Sequence, residues 1–172
     1  SEMCIRDSLT DRYFQNGQVF DLESVYKEVV VLEKEQLEDL KKAEHFIFLE
    51  YFIIHEGRMW GAILDVLEEK AAQGVDVRLI YDDMGCVSTL PPRYYKGLQA
   101  KGIKCAAFNP VRPILNIVLN NRDHRKILVI DGHTGYNGGI NLADEYINEQ
   151  MRFGHWKDTG VRLHGEGYGI LP

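Results

Sequence analysis

The sequence has few cysteines, few positive charges and no long apolar runs, and each shortage argues against a class of protein. Cys4, Cys86 and Cys105 are three in number and lack metal-type spacing, which argues against a disulfide framework and a zinc site. The formal net charge of −6 argues against a dedicated nucleic-acid binder, which usually carries a basic surface. No apolar run approaches the roughly 20 residues that span a bilayer. The composition, 45% hydrophobic and 27% charged, is that of an ordinary globular protein.

The two ends of the chain are interpreted separately from its middle. The first stretch, "SEMCIRDS" (1–8), resembles the translation of a sequencing adapter, so we exclude it from the fold. Residues 9–172 are expected to form a single domain, since this length can bury its own core. The abrupt end after "GYGILP" suggests a fragment of a longer gene product.

Alternating strand and helix patterns predict an α/β fold. Apolar residues recur at helical steps in two long segments and one short one, whereas apolar or alternating runs indicate strands. The predicted helices are 21–44, 59–74 and 91–102, with a further short helix at 142–148, and the predicted strands are 46–54, 75–83, 103–108, 126–131 and 158–165, with a hairpin turn at "DGHTG". Such alternation with short connections favours helices covering a largely parallel sheet.

One segment, "HRKILVIDGHTGYNGGIN" (124–141), carries more polar groups than a buried strand needs. Residues two apart in a strand share a face, so His124 and Lys126 are expected to point the same way and Arg125 the other way. A histidine beside a lysine is a poor structural pair, because the two repel when both are protonated. The pair suits a phosphate, because the ammonium can bind the anion while a neutral imidazole nitrogen attacks phosphorus.

Three residues at the end of this segment fit the same ligand. Gly138 and Gly139 would let a bulky anion approach the backbone closely. Asn141 would offer an amide donor at the start of the short helix, where the backbone N–H groups also favour negative charge. The sequence therefore predicts that all three bind the substrate phosphate together with Lys126.

Carboxylates complete the predicted site. The imidazole needs an acceptor on its other nitrogen, and Asp158 is the best-placed candidate, with Asp144 and Glu145 as alternatives. Asp131 is counted among the catalytic residues, although its position in the turn signal Asp131-Gly132 also suits an architectural role.

Three smaller features leave alternatives open. Glu50, inside "FLEYFII", is either a hydrogen-bonded group at a strand end or a supporting partner near the site. Asp82 and Asp83 are either a metal pair or, more commonly, solvated loop acids. The segment "VRPILNIVLNNR" (111–122) is either a lipid-contacting stretch or a plain hydrophobic strand.

The segment 124–141 resembles the HKD motif of the phospholipase D superfamily. The stretches "LEYFII", "GVDVRLIYDDMG", "NNRDHRKILVIDG", "GGINLADEY" and "HWKDTGVRLHGEG" extend that likeness to the bacterial cardiolipin synthase family over most of 46–165. The resemblance implies a mixed-sheet α/β/α sandwich and a transfer through a phosphohistidine that joins two phosphatidylglycerols into cardiolipin, without metal or cofactor. By the same resemblance His124 belongs to the catalytic pair, Lys126 and Asn141 bind the phosphate, and Asp158 orients the imidazole.

Two departures from that family pattern matter. The other histidines, His45, His55, His133, His155 and His164, do not form a second His-x-Lys pair, whereas family members carry two such motifs. The membrane-spanning helices with which the family usually starts are also missing from the sequence. Both departures suit the first catalytic half of a protein of the bacterial cell membrane, expected to be inactive alone.

The resemblance also sets the expected partners and the competing hypotheses. The expected partners are phosphatidylglycerol, the membrane surface, and a second HKD half from the same chain or a second copy, but not nucleic acid. One alternative is a single-motif phosphodiesterase or nuclease that acts as a homodimer. Another is a silent binding module that keeps the fold without turnover.

Overall fold

The computed structural model describes residues 27–110, 122–150, 156 and 158–165. The expectations for 1–8 and for most of the lipid-contacting segment, 111–121, lie outside these ranges. None of the helices in the described ranges is both long and apolar enough to cross a membrane.

The described residues form seven strands and three helices. In chain order they are β1 (Lys27–Glu28), α1 (Val29–Lys41), β2 (Phe46–Tyr51), α2 (Arg58–Ala72), β3 (Asp76–Asp82), α3 (Tyr94–Ala100), β4 (Lys104–Phe108), β5 (Lys126–Ile130), β6 (Thr134–Gly138) and β7 (Thr159–His164). Strands β2 to β7 and the three helices follow the predicted pattern, with most ends shifted by a few residues. Strand β1 differs, because it lies inside the segment 21–44 that was predicted to be helical.

The strands form one mixed sheet in the order β1-β7-β6-β5-β2-β3-β4. The α/β class and the mixed sheet are therefore confirmed, but the prediction of a largely parallel sheet is wrong. Only β2–β3 and β3–β4 pair in parallel, and both are joined by helical crossovers. The strands β5, β6 and β7 pair antiparallel, and β5 pairs antiparallel with β2. The tight turn after β5 accounts for the β5–β6 pair, since it returns the chain beside itself.

The core lies on one face of this sheet, beneath the helices. Alternate residues of the central strands point into it, among them Ile47 and Leu49 of β2 and Leu79 of β3, as the two-residue period of a strand requires. Helix α2 covers them with Met59, Trp60, Ile63, Val66 and Leu67. Burial of each such side chain contributes roughly 1.5–3 kcal/mol to folding.

All three described helices join this same core, α1 through Leu40 and α3 through Leu98. The opposite sheet face carries half-buried Phe46 and Phe48 and exposed Ile80. The described residues thus supply one of the two helical layers that an α/β/α sandwich has.

The short helix predicted after Asn141 is not formed. Leu142 makes a parallel bridge with Ile54 instead, and turns follow it. The carboxylate of Asp144 accepts the backbone N–H groups of Arg58 at 2.9 Å and Met59 at 2.8 Å. The predicted cap, Asn141, accepts the distant Ile53 N–H through its Oδ1 instead, and Asp144 caps the distant helix α2, so neither side chain supports a local helix.

Candidate active site

His124 and Lys126 meet on one aromatic ring at the end of the sheet. The His124 imidazole stacks on Phe52, with ring centroids 3.8 Å apart and planes inclined by 24°. The Lys126 Nζ lies 5.4 Å from the centroid of the same ring and donates a hydrogen bond to the His124 carbonyl at 2.6 Å. His124 is exposed and Lys126 is half-buried, so apolar packing seals neither group.

Arg125, between them, points away as strand alternation predicts. Its guanidinium lies 2.7 Å from Glu50 and 2.7 Å from Asp123. Glu50 is the residue that faces Ile127 in the β2–β5 register, whereas Tyr51 faces Lys126. The sheet therefore separates the Arg125 cluster from the Lys126 side chain.

The Lys126 ammonium is partly stripped of water. Burial lowers the pKa of Lys126 below its ordinary value, against the opposing charges of Asp123 and Asp158. A cation in such a site interacts with an anion more strongly than one in bulk water, because less solvent screens the pair.

Asp158 lies against Gly139. A Cβ added at Gly139 would fall 2.6 Å from a carboxylate oxygen of Asp158, closer than such atoms approach one another. Asp158 also acts electrostatically on Lys126. The absence of a side chain at Gly139 thus leaves room for the Asp158 carboxylate, whereas the sequence predicts that it leaves room for the phosphate.

Gly138 lies beside Lys126 at a small cavity of about 20 Å³, which residues of β2, β6 and β7 also line. A space of this size holds about one water molecule. Gly138 is therefore near the lysine that the sequence places at the phosphate.

Asn141 is a buried structural residue in addition to any contact with ligand. It is 5% exposed, its Oδ1 accepts the Ile53 N–H at 3.0 Å, and its Nδ2 donates to the Tyr146 hydroxyl at 2.9 Å. Nδ2 carries a second hydrogen that this bond does not use. The amide thus holds the chain next to Phe52.

Asp131 lies at the other end of β5 from Lys126. Its carboxylate accepts the backbone N–H groups of Glu44, His45 and Phe46, each at 2.8 Å. Burial by itself raises the pKa of Asp131, but these donors lower it below its ordinary value. Its inclusion among the catalytic residues is not supported by this geometry, and the architectural alternative is.

The two alternative carboxylates are engaged elsewhere. Asp144 caps α2, as described above, and Glu145 Oε2 lies 3.8 Å from His55 Nδ1. Of the three predicted carboxylates, Asp158 acts electrostatically on Lys126 and partly offsets the lowering of its pKa by burial.

Two further acids stabilise the chain before His124. Asp82 is 1% exposed and accepts the N–H groups of Gly85 at 2.8 Å and Asp123 at 3.3 Å, so it is a buried, hydrogen-bonded residue and not a solvated loop acid. Glu50 faces Asp123, and burial, followed by the hydrogen bond to Asp123, raises the pKa of Glu50 to about 7. Both acids lie behind the site rather than in it.

The chain is similar in sequence to several bacterial proteins. Residues 37–152 match the family model described as "Cardiolipin synthase, PLD-like domain". The chain is 56% identical over 155 residues to an uncharacterized protein of Streptococcus mutans, covering 90% of this chain and 31% of the relative. It is 40% identical over 136 residues to cardiolipin synthase 2 of Staphylococcus epidermidis, covering 78% and 28%. It is 42% identical over 130 residues to the cardiolipin synthase of Oceanobacillus iheyensis, covering 76% and 27%. The chain thus spans less than a third of these relatives.

Solved structures share the fold. The phospholipase D family member Nuc of Salmonella typhimurium superposes with a TM-score of 0.53 at 16% identity, covering 78% of this chain and 74% of Nuc. NucT of Helicobacter pylori gives 0.56 at 12% identity, covering 81% and 83%. The phosphatidylserine synthase of Haemophilus influenzae gives 0.63 at 12% identity, covering 86% and 34%. Identities this low establish the common fold alone.

Proposed function

The chain belongs to the cardiolipin synthase, phospholipase D-like domain family, and from that premise we propose that it is one catalytic half of a phosphatidyltransferase. The reaction would move a phosphatidyl group from one phosphatidylglycerol to a second, giving cardiolipin and glycerol. The observation that carries the proposal is the meeting of His124 and Lys126 on the Phe52 ring.

Lys126 is proposed to bind a non-bridging oxygen of the substrate phosphate. Its half-buried ammonium supplies a positive charge that less water screens, beside the exposed imidazole that would act on phosphorus. Because negative charge on those oxygens grows as phosphorus is attacked, the ammonium would stabilise the transition state more than the bound substrate.

His124 is proposed as one of a pair of histidines, the other coming from the second catalytic half. One imidazole nitrogen attacks phosphorus and forms a P–N bond while the P–O bond to glycerol breaks. The other imidazole gives its proton to the leaving glycerol oxygen and then takes one from a hydroxyl of the second phosphatidylglycerol. That hydroxyl oxygen attacks phosphorus, the P–N bond breaks, and cardiolipin leaves.

Asp158 is proposed to accept a hydrogen bond from the other nitrogen of the His124 ring, which would fix the tautomer that acts on phosphorus. Its place against Gly139 and its electrostatic effect on Lys126 support this role. Asn141 and Gly138 are proposed to complete the phosphate site from the β6 side, next to the small cavity.

The substrate is a membrane lipid, so we propose that the longer protein works at the bacterial cell membrane. The open end of the sheet, with exposed His124, would face the second half across the lipid headgroup. The chain alone would then be nearly inactive, since it supplies a single HKD motif.

The test measures cardiolipin formed from phosphatidylglycerol vesicles by a protein that carries this segment and a second HKD half. We expect His124→Ala to abolish turnover while its unfolding curve matches that of the parent. Mass spectrometry of acid-sensitive adducts of the parent should find a phosphatidyl group on one histidine of the pair. Unchanged turnover in His124→Ala would refute the assignment.

A second candidate function is a phosphodiesterase built from two copies of this chain. It is favoured by size, because the chain covers 74% of Nuc and 83% of NucT. This candidate predicts that the purified chain is a dimer by light scattering and hydrolyses bis(p-nitrophenyl) phosphate without a further domain. If the purified chain is a monomer and does not hydrolyse this substrate, the result contradicts the phosphodiesterase and favours the proposal of a transferase half.

A further inference from the structure

The Phe52 ring lies directly after strand β2 and separates the loop 83–86 from the His124 imidazole. We infer that Phe52 is a positioning residue that fixes the plane of this imidazole. The inference rests on the proposed function for its effect on turnover, whereas its geometric content can be tested without any substrate.

The His124 ring needs such a support. His124 is exposed and precedes the first paired residue of β5, Lys126, so no sheet pairing restrains it. The imidazole stacks face to face on Phe52, with centroids 3.8 Å apart and planes inclined by 24°. This stack limits rotation of the imidazole about its side-chain bonds.

Phe52 itself has a rigid backing at Gly85. A Cβ added there would lie 2.4 Å from the Phe52 carbonyl oxygen and 3.0 Å from a ring carbon. Only a residue without a side chain lets the loop approach so closely. The loop is pinned in turn, since the Gly85 N–H donates to Asp82 at 2.8 Å.

The backbone that follows Phe52 is fixed on both sides. The Ile53 N–H donates to Asn141 at 3.0 Å, the Ile54 N–H donates to Cys86 Sγ at 3.2 Å, and Thr89 Oγ1 donates to the Ile54 carbonyl at 2.6 Å. The segment "YDDMGC" (81–86) and Asn141, the last residue of the motif, thus both hold Phe52 in place beneath the His124 imidazole.

A fixed imidazole plane matters because its nitrogen lone pair must point along the line of attack on phosphorus. A misplacement of about 1 Å can lower the rate about 100-fold. Lys126 Nζ touches the same ring at 5.4 Å, so Phe52 also sets the spacing between the nucleophilic and anion-binding groups. Loss of the ring should lower kcat, while KM, which depends on the lipid contacts, changes little.

The first measurement is made on the unmodified chain, without substrate. NMR of histidine-labelled protein should show nuclear Overhauser contacts between the Phe52 ring protons and the His124 imidazole, whose signals are assigned with His124→Ala. In Phe52→Leu the His124 Hε1 signal should lose its ring-current shift, and Phe52→Tyr should retain it. Phe108→Leu, which removes a ring that is 37% exposed on β4, is the matched control and should leave that signal in place.

The second measurement is turnover in the protein that carries both catalytic halves. We expect Phe52→Leu to lower kcat about 10- to 100-fold with KM within about threefold, and Phe52→Tyr to restore most of it. Absence of the Overhauser contacts in the unmodified chain would overturn the inference even if Phe52→Leu fails to fold. A changed His124 signal with unchanged kcat would overturn it as well. A different result would refute the proposed function itself, namely turnover that is unchanged in His124→Ala.

Discussion

The two ends of strand β5 carry parts of one motif but are built differently. At the Asp131 end, one carboxylate accepts three backbone N–H groups and ties the start of β2 to the β5–β6 turn. At the Lys126 end, the ammonium is half-buried near two carboxylates, and the imidazole is exposed and held by stacking on Phe52. The first arrangement satisfies its polar groups within the fold, whereas the second keeps a charge and a ring nitrogen available at the surface.

The difference separates architecture from chemistry within a single sequence pattern. A carboxylate engaged by strong hydrogen bonds stabilises the fold, whereas a partly desolvated cation beside an exposed imidazole is costly unless a ligand makes use of it. Substitutions at the two ends should therefore damage different properties, and measuring both properties in each variant tests the comparison.

The largest effect is expected from Lys126→Met. Removal of the ammonium should lower turnover about 1,000-fold, as loss of one transition-state contact of this kind costs roughly 4 kcal/mol. Stability should change by less than about 1 kcal/mol, because methionine retains the apolar stem. Lys104→Met, which removes an exposed lysine paired with Asp76 at 2.9 Å, serves as the control and should keep full turnover.

Asp131→Ala is expected to lower stability rather than to act on the chemistry of the site. Loss of the three N–H contacts should lower the free energy of unfolding by about 3 kcal/mol, a value limited by the exposure of two of the donors. Asp131→Asn keeps one oxygen and tolerates the positive φ of 52° at this position, so its loss should be about half. Urea denaturation measures both variants, and equal stability of all three proteins would remove the architectural role.

Asn141→Asp tests a residue that connects the site to the fold. The carboxylate can still accept the Ile53 N–H, and the Tyr146 hydroxyl can turn to donate to it. Because the side chain at this position is 5% exposed, its charge loses solvation, and stability should fall by roughly 1–3 kcal/mol. The added negative charge should lower turnover at least about 100-fold, since it repels the phosphate. Turnover within a few-fold of the parent would make Asn141 purely architectural.

The smallest effect concerns pH. The pKa of Glu50 rises from 4.5 to about 7 in the fold, so between these values the folded chain holds a proton that the unfolded chain has released. Stability from this group is therefore full below the unfolded pKa and falls as pH rises to about 7. We expect the free energy of unfolding to drop by about 1 kcal/mol from pH 5 to pH 8, less than the full shift implies because solvent reaches the Glu50 side chain, which is 21% exposed, and screens its charge.

Glu50→Gln should flatten that drop, since an amide cannot ionise and can still donate to Asp123. Urea denaturation at several pH values checks it. An equal slope in the two proteins would show that the carboxyl pair does not share its proton as the geometry indicates.

Much of the fold could be predicted from local patterns. The period of apolar residues located α2, and the signal Asp131-Gly132 located the hairpin, because these features depend on neighbours in sequence. The order and direction of the other strands depend on distant partners, so the antiparallel pairing of β5 with β2 and of β6 with β7 was not predicted. The helix after Asn141 failed for the same reason, because its sequence does not reveal that Asp144 is engaged by α2.

The site was predicted in part. Spacing two apart identified His124 and Lys126 as neighbours, and both contact one ring. Spacing could not separate Asp131, which lies at the far end of a straight strand. Phe52 was not predicted as a site residue. An aromatic residue in an apolar run has the same sequence pattern whether it packs in the core or stacks on a catalytic side chain.

The long-range carboxylate contacts also constrain the order of events during protein synthesis. Asp131 reaches back 87 residues to Glu44, and Asp144 reaches back 86 residues to Arg58. At bacterial and eukaryotic elongation rates of about 5–20 residues per second, a gap of this size takes roughly 4–17 s to translate. Throughout that delay the Asp131 and Asp144 contacts are absent and strand β2 lacks its antiparallel neighbour β5, so one edge of the parallel half of the sheet stays unpaired until β5 has been made.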